Sequence, residues 1–258
     1  MEIEEYEHGV PSWVDVACPD PAAGRAFYSQ LFGWDVPEGP PEAGGYAIAS
    51  LKGRSVAGVG PQMNPAAAPA WTTYVNVTSA DATAEAIVAN GGTMFMTPMD
   101  VMDVGRMAVF ADPAGAVLGL WQPNTHRGAG LVNELHTWCW SELMTTDVEG
   151  AKAFYASVFG WGAVTEGEGA SAYTSWTVNG RPMSGMMQKP ANMPAQVPPF
   201  WGVYFTVADA DDAAKEITKL GGNVMTPAAM EIDQGRFVVG TDPGGAAFGV
   251  MQFKEMPH

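Results

Sequence analysis

The chain has 258 residues, of which 47% are hydrophobic, and it carries a formal net charge of −16. This length can bury two cores, and the apolar content is that of a folded globular protein. So strong a negative charge disfavours nucleic acids and anionic membranes as partners, because both are bound through basic patches. The two cysteines, Cys18 and Cys139, lack CxxC spacing, and MEIEEYEHGV has no apolar signal-peptide core. We therefore expect a cytoplasmic protein without membrane segments.

In chain order, stretches of alternating apolar residues precede stretches with helical spacing. Residues 13–17 alternate and predict a strand, after which Asp20 and Pro21 start a helix that ends at Gly33. Residues 45–60 alternate around Lys52-Gly53, which predicts two strands and a hairpin. A linker rich in proline and alanine follows at residues 61–70. The second unit has a predicted strand at residues 71–77, a helix at 81–90, and strands at 107–110 and 117–121 around the turn 112–115.

The second half of the chain repeats the first. The segments from Trp13 to Trp34 and from Trp140 to Trp161 agree at eight of 22 positions, including the frame AFYxxxFGW. Residues 71–92 also match 201–222, and residues 105–122 match 235–252. The first pair is 127 residues apart, and the other two pairs are 130 apart. Three matches in the same order indicate a duplicated domain.

The predicted fold class is α+β, with two βαβββ modules in each half. We expect four modules that form two tandem domains with curved mixed sheets, one over residues 1–125 and one over residues 132–258. Residues 123–131 join the two domains as a surface crossing. Short linkers at residues 61–70 and 190–199 suit neighbouring modules, so each half should form its own cup, although an exchange of modules between chains stays open.

These motifs resemble the vicinal oxygen chelate superfamily, which includes glyoxalase I, extradiol dioxygenases and bleomycin resistance proteins. The resemblance covers nearly the whole chain and rests on FYxxxFGW, on GG after the second helix and on GRxxxxxDPxGxxxGxxQ. The segments LVNE and WSEL are similar, more narrowly, to tandem-domain glyoxalase-like proteins of actinobacteria. The resemblance implies paired modules whose curved sheets form one open cup in each half.

Enzymes of this superfamily usually hold one divalent metal ion in the cup through His, Gln and Glu side chains. The resemblance places these ligand positions at Trp13, Thr72 and Gly119 in the first half. In the second half they fall at Trp140, Gly202 and Gly249. None of these residues suits such an ion. We therefore predict no metal site and no resident cofactor, although a flavin or deazaflavin would fit an aromatic cup.

The residues that face into each cup follow from the lost ligand positions, because alternate residues of a strand share one face. The opposite face is aliphatic at Val14, Val16, Val75 and Val77, and should pack on the helices. Aromatic and methionine side chains around a carboxylate suit a flat or apolar small molecule. Alternatively, the tryptophans simply fill the cup as core. The predicted ligand-binding residues are Trp13, Thr72, Tyr74, Asn76, Trp121, Trp140, Tyr204, Thr206 and Met251.

Three residues are candidates for acid–base catalysis: Asp15, Glu142 and His136. The two carboxylates occupy the same inward position in the two copies, where burial would raise the pKa. Each is a candidate general base or ligand acceptor, or else a structural partner of a neighbouring strand, of Arg106 or of Arg236. His136 shares the inward alternation if the first strand of the second half extends to it, which would place it at the rim of the cup.

Two functions remain open. The first is a protein that binds or sequesters an aromatic or apolar metabolite or drug, as in bleomycin resistance. The second is a metal-independent lyase, isomerase or glyoxalase-like detoxifying enzyme that uses an Asp or Glu base. In both cases the partner is a small organic molecule, and a homodimer is a further option. An aromatic cup with one titratable group favours binding.

Overall fold

The computed structural model describes residues 1–256. In the first half of this range the elements are β1 (Pro11–Cys18), α1 (Pro21–Phe32), β2 (Ala47–Leu51), β3 (Arg54–Pro61), β4 (Ala70–Asn76), α2 (Ala80–Ala89), β5 (Thr93–Val101), β6 (Gly105–Ala111) and β7 (Val117–Pro123). In the second half they are β8 (Trp138–Thr145), α3 (Val148–Phe159), β9 (Gly162–Glu166), β10 (Tyr173–Val178), β11 (Arg181–Gln188), β12 (Phe200–Thr206), α4 (Ala210–Lys219), β13 (Asn223–Val224), β14 (Met230–Ile232), β15 (Gly235–Thr241) and β16 (Ala247–Phe253).

The ends of α1 follow directly from the repeated sequence motif. The Asp20 carboxylate accepts the backbone N–H groups of Ala22 and Ala23, at 3.0 and 3.1 Å, and so satisfies donors that the first turn leaves free. Gly33 ends the helix in the left-handed conformation, with φ of 70°. In the second copy, Asp147 accepts the backbone N–H of Gly150 at 2.9 Å, and Gly160 ends α3 in the left-handed conformation. The aspartate and the FGW glycine are therefore helix signals.

The strands form two mixed sheets, one in each half. The first sheet has the order β2-β3-β1-β4-β7-β6-β5, and the second has the order β13-β15-β16-β12-β8-β11-β10-β9, with β14 paired to β15. The pairs β1/β4 and β8/β12 are antiparallel and join the two modules of each half. Four modules in two tandem domains are thus confirmed, and neither described sheet closes into a barrel.

The two halves differ at the sheet edges. The second half has β9, whereas the corresponding segment of the first half makes only a bridge between Asp35 and Ser50. The long strand β5 has two short counterparts, β13 and β14. The modules therefore vary most where a strand has one neighbour, away from the central pairs that form the cup.

The helix-facing sides of the two sheets pack against each other. Val14, Val16 and Val75 are at most 1% exposed, as the alternation predicted. The Phe27 and Phe248 rings are 6.0 Å apart, which packs the first module on the fourth. The second module packs on the third in the same way. Each hydrophobic core thus draws on both halves, and the opposite faces of the sheets, called here the first and second cup faces, point away from each other.

The AFY tyrosines connect the two halves through buried hydrogen bonds. The Tyr28 hydroxyl accepts the indole N–H of Trp71 at 2.9 Å and donates to the Asp242 carboxylate at 3.0 Å. In the second copy, Tyr155 accepts from Trp201 and donates to Asp112, at 2.9 Å in each case. The DPxG aspartates accept the N–H groups of their own turns, and they also bind the tyrosine of the other half.

The FGW tryptophans make a second pair of connections between the halves. Trp34 donates its indole N–H to the backbone oxygen of His136 at 2.8 Å, and Trp161 donates to that of Gly9 at 2.6 Å. Gly9 and His136 are equivalent in the repeat, and both have a left-handed backbone, with φ of 83° and 65°. His136 thus lies in a turn before β8, which starts at Trp138, and not on the extended strand that the alternation assumed.

Candidate functional site

A polar cluster lies on the first cup face, on β1 and β4. The Trp13 indole N–H donates to the Tyr46 hydroxyl at 2.8 Å, and this hydroxyl donates to the Asp15 carboxylate at 3.0 Å. Tyr74, opposite Trp13 in the β1/β4 register, adds a second hydroxyl next to the carboxylate. Trp13 and Tyr74 are only 3% and 7% exposed, whereas Asp15 and Tyr46 are half-buried. One carboxylate is thus held by two tyrosines under a tryptophan.

The same cluster recurs on the second cup face. The Trp140 indole donates to the Tyr173 hydroxyl at 2.8 Å, and the Tyr204 hydroxyl donates to Glu142 at 3.4 Å. Tyr173 also interacts with Glu142. All four side chains are half-buried. Glu142 lies opposite Gly202 across the β8/β12 pair, whereas its equivalent Asp15 lies opposite Thr72 across the β1/β4 pair. The longer acid thus faces the smaller residue.

Glycines make room for the tyrosine rings. A Cβ on Gly58 would lie 1.9 Å from the Tyr46 hydroxyl, and one on Gly185 would lie 1.9 Å from that of Tyr173. A Cβ on Gly119 would lie 2.1 Å from the Tyr74 ring. Since real side chains do not approach so closely, the tyrosines occupy space that only glycine leaves free. The glycines of the sheet therefore determine where the tyrosine rings of the cluster can lie.

Burial changes the acidity of both carboxylates. It raises the pKa of Asp15 to about 7, although the Tyr46 and Tyr74 hydroxyls oppose the shift. It also raises the pKa of Glu142, again against the two hydroxyls. No lysine or arginine of the described chain lowers either pKa: Arg106 pairs with Asp81 and Asp100, and Arg236 pairs with Asp211. The structural partners of the two acids are therefore tyrosines.

The residues at the family's ligand positions do not fit a divalent metal ion. The first position holds Trp13, whose indole is a hydrogen-bond donor with no lone pair to offer. The third position is Gly119, and the Tyr74 ring fills the space into which a ligand side chain would project. Across the described residues, no three His, Cys, Asp or Glu side chains are grouped to hold a metal. The donor set that remains is one carboxylate and two phenols per cup.

The first cup face is covered by the segment that joins the two halves. The His126 ring packs edge-on against Trp13, with centroids 4.5 Å apart, and against Trp121, at 5.5 Å. The Trp121 indole also donates to the His126 backbone oxygen at 2.7 Å. Burial lowers the pKa of His126 to about 4, so the ring is uncharged at neutral pH. Its Nε2 atom is buried and makes no hydrogen bond.

The N-terminal segment holds this cover in place. The Tyr6 hydroxyl donates to the Ala129 backbone oxygen at 2.7 Å, and Glu2 forms a bridge with Leu131. Asn76, predicted to bind ligand, donates its amide to the backbone oxygens of Tyr6 and Glu7. The amide donor of Asn76 is thus used by contacts within the chain, and a ligand role for this residue stays a prediction.

The second cup face has no such cover in the described part of the chain. Met256 is equivalent to His126 in the repeat and is 38% exposed. Among residues 1–256, no aromatic ring packs on Trp140, whereas Tyr204 contacts Phe237 edge-on at 6.2 Å. Thr206 and Met251 are paired in the register beside this cluster, and both are buried. A separate surface cavity of about 470 Å³ lies beside the start of α3, lined in part by Lys152 and Met186.

The structure brings together most, but not all, of the predicted site residues. The first cup face brings together Trp13, Asp15, Thr72 and Tyr74, and the second cup face brings together Trp140, Glu142 and Tyr204. His136 is not with them, because its ring lies 6.2 Å from that of Phe32 on α1, between the halves. Sequence reasoning missed Tyr46 and Tyr173, although they are 127 residues apart like the rest of the first repeat. It also passed over His126, which no pattern links to Trp13.

Comparisons with known proteins agree with this architecture. The model of the Glyoxalase-like domain family matches residues 13–120. That of the Glyoxalase/Bleomycin resistance protein/Dioxygenase superfamily matches residues 136–250. The fold is also similar to that of the 2,3-dioxygenase LapB from Pseudomonas sp. KL28, with a TM-score of 0.64 and 13% identity over 98% of this chain and 96% of that one.

Two relatives match along almost the whole chain. A Mycobacterium tuberculosis protein named "Putative glyoxylase CFP32" is 40% identical over 96% of each chain. The anthracycline biosynthesis protein DnrV of Streptomyces peucetius is 35% identical over 98% of this chain and 96% of its own. The chain belongs to the glyoxalase/bleomycin resistance protein/dioxygenase superfamily, also called vicinal oxygen chelate proteins. No helix within residues 1–256 is long and apolar enough to cross a membrane.

Proposed function

We propose that the protein binds an aromatic or apolar small organic molecule on its second cup face. The observation that carries this proposal is the half-buried cluster of Glu142, Tyr173 and Tyr204 beside Trp140, on which no aromatic ring of residues 1–256 packs. Apolar walls with a few convergent polar groups are the usual composition of a ligand site. The relationship to DnrV, whose name places it in the biosynthesis of a polycyclic aromatic product, supports a ligand of this kind.

Binding in this cup does not depend on a metal ion. Trp140, Gly202 and Gly249 stand at the family's ligand positions, and a Cβ at Gly249 would already lie 2.1 Å from the Tyr204 ring. Side chains of the protein then contact the ligand directly. The hydroxyls of Tyr173 and Tyr204 hold the Glu142 carboxyl in position, and this carboxyl binds a polar substituent of the ligand. Both cysteines are buried free thiols, which suits the predicted cytoplasm.

Native mass spectrometry of the full chain, purified under mild conditions, tests this function. We expect one small organic molecule per chain and, on the same sample, no stoichiometric divalent metal. Trp140→Ala should lose the molecule, while Val164→Ala should retain it, because Val164 is a 54% exposed residue on β9 outside the cluster. A molecule that stays on the Trp140→Ala protein, or about one bound Zn, Ni, Fe or Mn per chain, would contradict the proposal.

A second candidate function is metal-independent acid–base catalysis. The observation in its favour is that burial raises the pKa of both carboxylates, that of Asp15 to about 7. A base with a pKa near the working pH transfers protons efficiently. Glu142 on the open face, or Asp15 if the first cup opens, would take a proton from a carbon next to a carbonyl group. Glu142→Gln should then lower turnover about 10²–10⁴-fold with folding unchanged. A pure binding protein shows no turnover in either form.

A further inference from the structure

The first cup already contains an internal ring, and that ring indicates what the second cup binds. The His126 imidazole lies against Trp13 and Trp121 in the first half. Their equivalents in the second half are Trp140 and Met251, and no aromatic ring of residues 1–256 packs there on Trp140. The duplicated fold thus presents the same surface twice, once covered by a ring of the chain and once without such a ring among residues 1–256.

The internal ring has definite chemical properties. It is flat, it is uncharged at neutral pH because its pKa is lowered to about 4, and it carries polar atoms. A tryptophan face and edge favour such a ring over a branched aliphatic group, because aromatic pairs gain from edge-on geometry as well as from burial. The surface of Trp140, on which no ring of residues 1–256 packs, therefore suits a flat, uncharged ring from outside the chain.

The surroundings of the second cluster disfavour an anionic ligand. No lysine or arginine in the described chain lowers the pKa of Glu142. A carboxylate or phosphate placed there would leave water without gaining a counter-charge. An uncharged molecule does not carry this cost.

The hydrogen bonds of the cluster define the polar substituent. Trp140 donates to Tyr173, and both Tyr173 and Tyr204 interact with Glu142, so the donors nearest the carboxyl are already used inside the cluster. The remaining capacity is on the carboxyl oxygens, which can accept more than two hydrogen bonds. A hydroxyl group on the ligand matches this capacity.

From these observations, and resting on the proposed function, we infer that the ligand of the second cup is an uncharged hydroxylated aromatic molecule whose hydroxyl donates to Glu142 while its ring lies on Trp140. The first cup is then a copy of the same site in which His126 occupies the ligand's place. This adds the ligand class to the proposed site, and it predicts a latent second site in the same chain.

The test uses three probes that share one ring system: 2-naphthol, 2-methoxynaphthalene and 2-naphthoate, titrated calorimetrically into the full chain at pH 7. We expect one equivalent of 2-naphthol, with binding of 2-methoxynaphthalene or 2-naphthoate about tenfold weaker or more. His126→Ala should bind a second equivalent of 2-naphthol. Tyr173→Phe should weaken binding several-fold, whereas Val164→Ala, on β9 outside the cluster, should leave it unchanged. Thermal unfolding of each variant checks that it is folded.

The outcomes separate this inference from the proposed function. Equal or tighter binding of 2-naphthoate, or no binding of 2-naphthol at about 1 mM, overturns the ligand class. One equivalent on the folded His126→Ala protein overturns the view of the first cup as an occupied copy. In both cases the second cup still stands as a site if Trp140→Ala releases the molecule found by mass spectrometry. If 2-naphthol binding is instead indifferent to Trp140→Ala, the cup is not its site and both proposals fail.

Discussion

The buried tyrosines that connect the two halves give a quantitative prediction about stability. Tyr155→Phe removes only a hydroxyl, but that hydroxyl accepts the Trp201 N–H and donates to Asp112, each at 2.9 Å. Both partners are buried, with Trp201 6% and Asp112 4% exposed, so solvent replaces the lost bonds poorly. A buried polar group without a partner costs about 1–3 kcal/mol, so the variant should lose about 2–4 kcal/mol of the free energy of unfolding. Tyr28→Phe should lose a similar amount, because it leaves Trp71 and Asp242 in the same state.

Urea unfolding followed by circular dichroism measures these losses. The matched control is Tyr173→Phe, whose partners are half-buried on the cup face and can turn to water, so it should cost less than about 1 kcal/mol. The two buried networks share no residue, so the double variant should lose nearly the sum of the single losses. Losses below about 0.5 kcal/mol in both single variants would refute the view that these bonds hold the halves together.

Three further predictions follow from the cup faces and the turn at His136. Folding raises the pKa of Asp15 to about 7 from an ordinary 3.8, so the folded chain binds this proton more tightly than the unfolded chain does. The contribution of Asp15 to the free energy of unfolding is therefore fully present below about pH 4 and is lost as the pH rises towards 8, by up to roughly 4 kcal/mol. Asp15→Asn should remove this loss, as measured by denaturant titrations across that pH range. His136→Gly should keep or raise the melting temperature and leave ligand binding intact, because φ of 65° strains any residue but glycine; a fall in turnover would instead support the predicted catalytic role. Dialysis against EDTA should change neither the melting temperature nor ligand binding, and a drop in either would show that a metal takes part.

The fold could be predicted because its signals are local and occur twice. Asp20 with Pro21 and the closing Gly33 mark a helix by capping chemistry alone, and the second copy repeats the pattern. The alternation of Val14 and Val16 with Trp13 and Asp15 assigned the two faces of β1 correctly, since a strand has a period of two. The bounds of the strand were predicted less accurately, because β1 extends beyond residues 13–17 at both ends.

The site was harder to predict because its contacts join residues that are distant along the chain. Tyr46 precedes β2 and reaches Asp15 on β1, and only the equivalence of Tyr46 and Tyr173 in the repeat could have indicated it. His126 lies in the segment between the halves, where no periodicity constrains its direction. His136 shows the opposite error, because the alternation was extended past the start of β8 into a turn. The ligand role of the cup residues themselves stays a prediction.

The crossed hydrogen bonds between the halves also bear on how such a chain can arise. Tyr28 of the first repeat binds Asp242 of the second, and Tyr155 of the second repeat binds Asp112 of the first. The same pair of repeat positions therefore meets twice, with the roles of the two repeats exchanged. This reciprocity is the rule of contact in a two-fold symmetric dimer, in which one surface patch pairs with itself. A protein of a single repeat would carry both partners of each bond and could satisfy them only by pairing with a second copy. The present chain therefore has the arrangement of a homodimer fused into one polypeptide, and fusion left each copy free to change its cup while the shared interface had to stay the same.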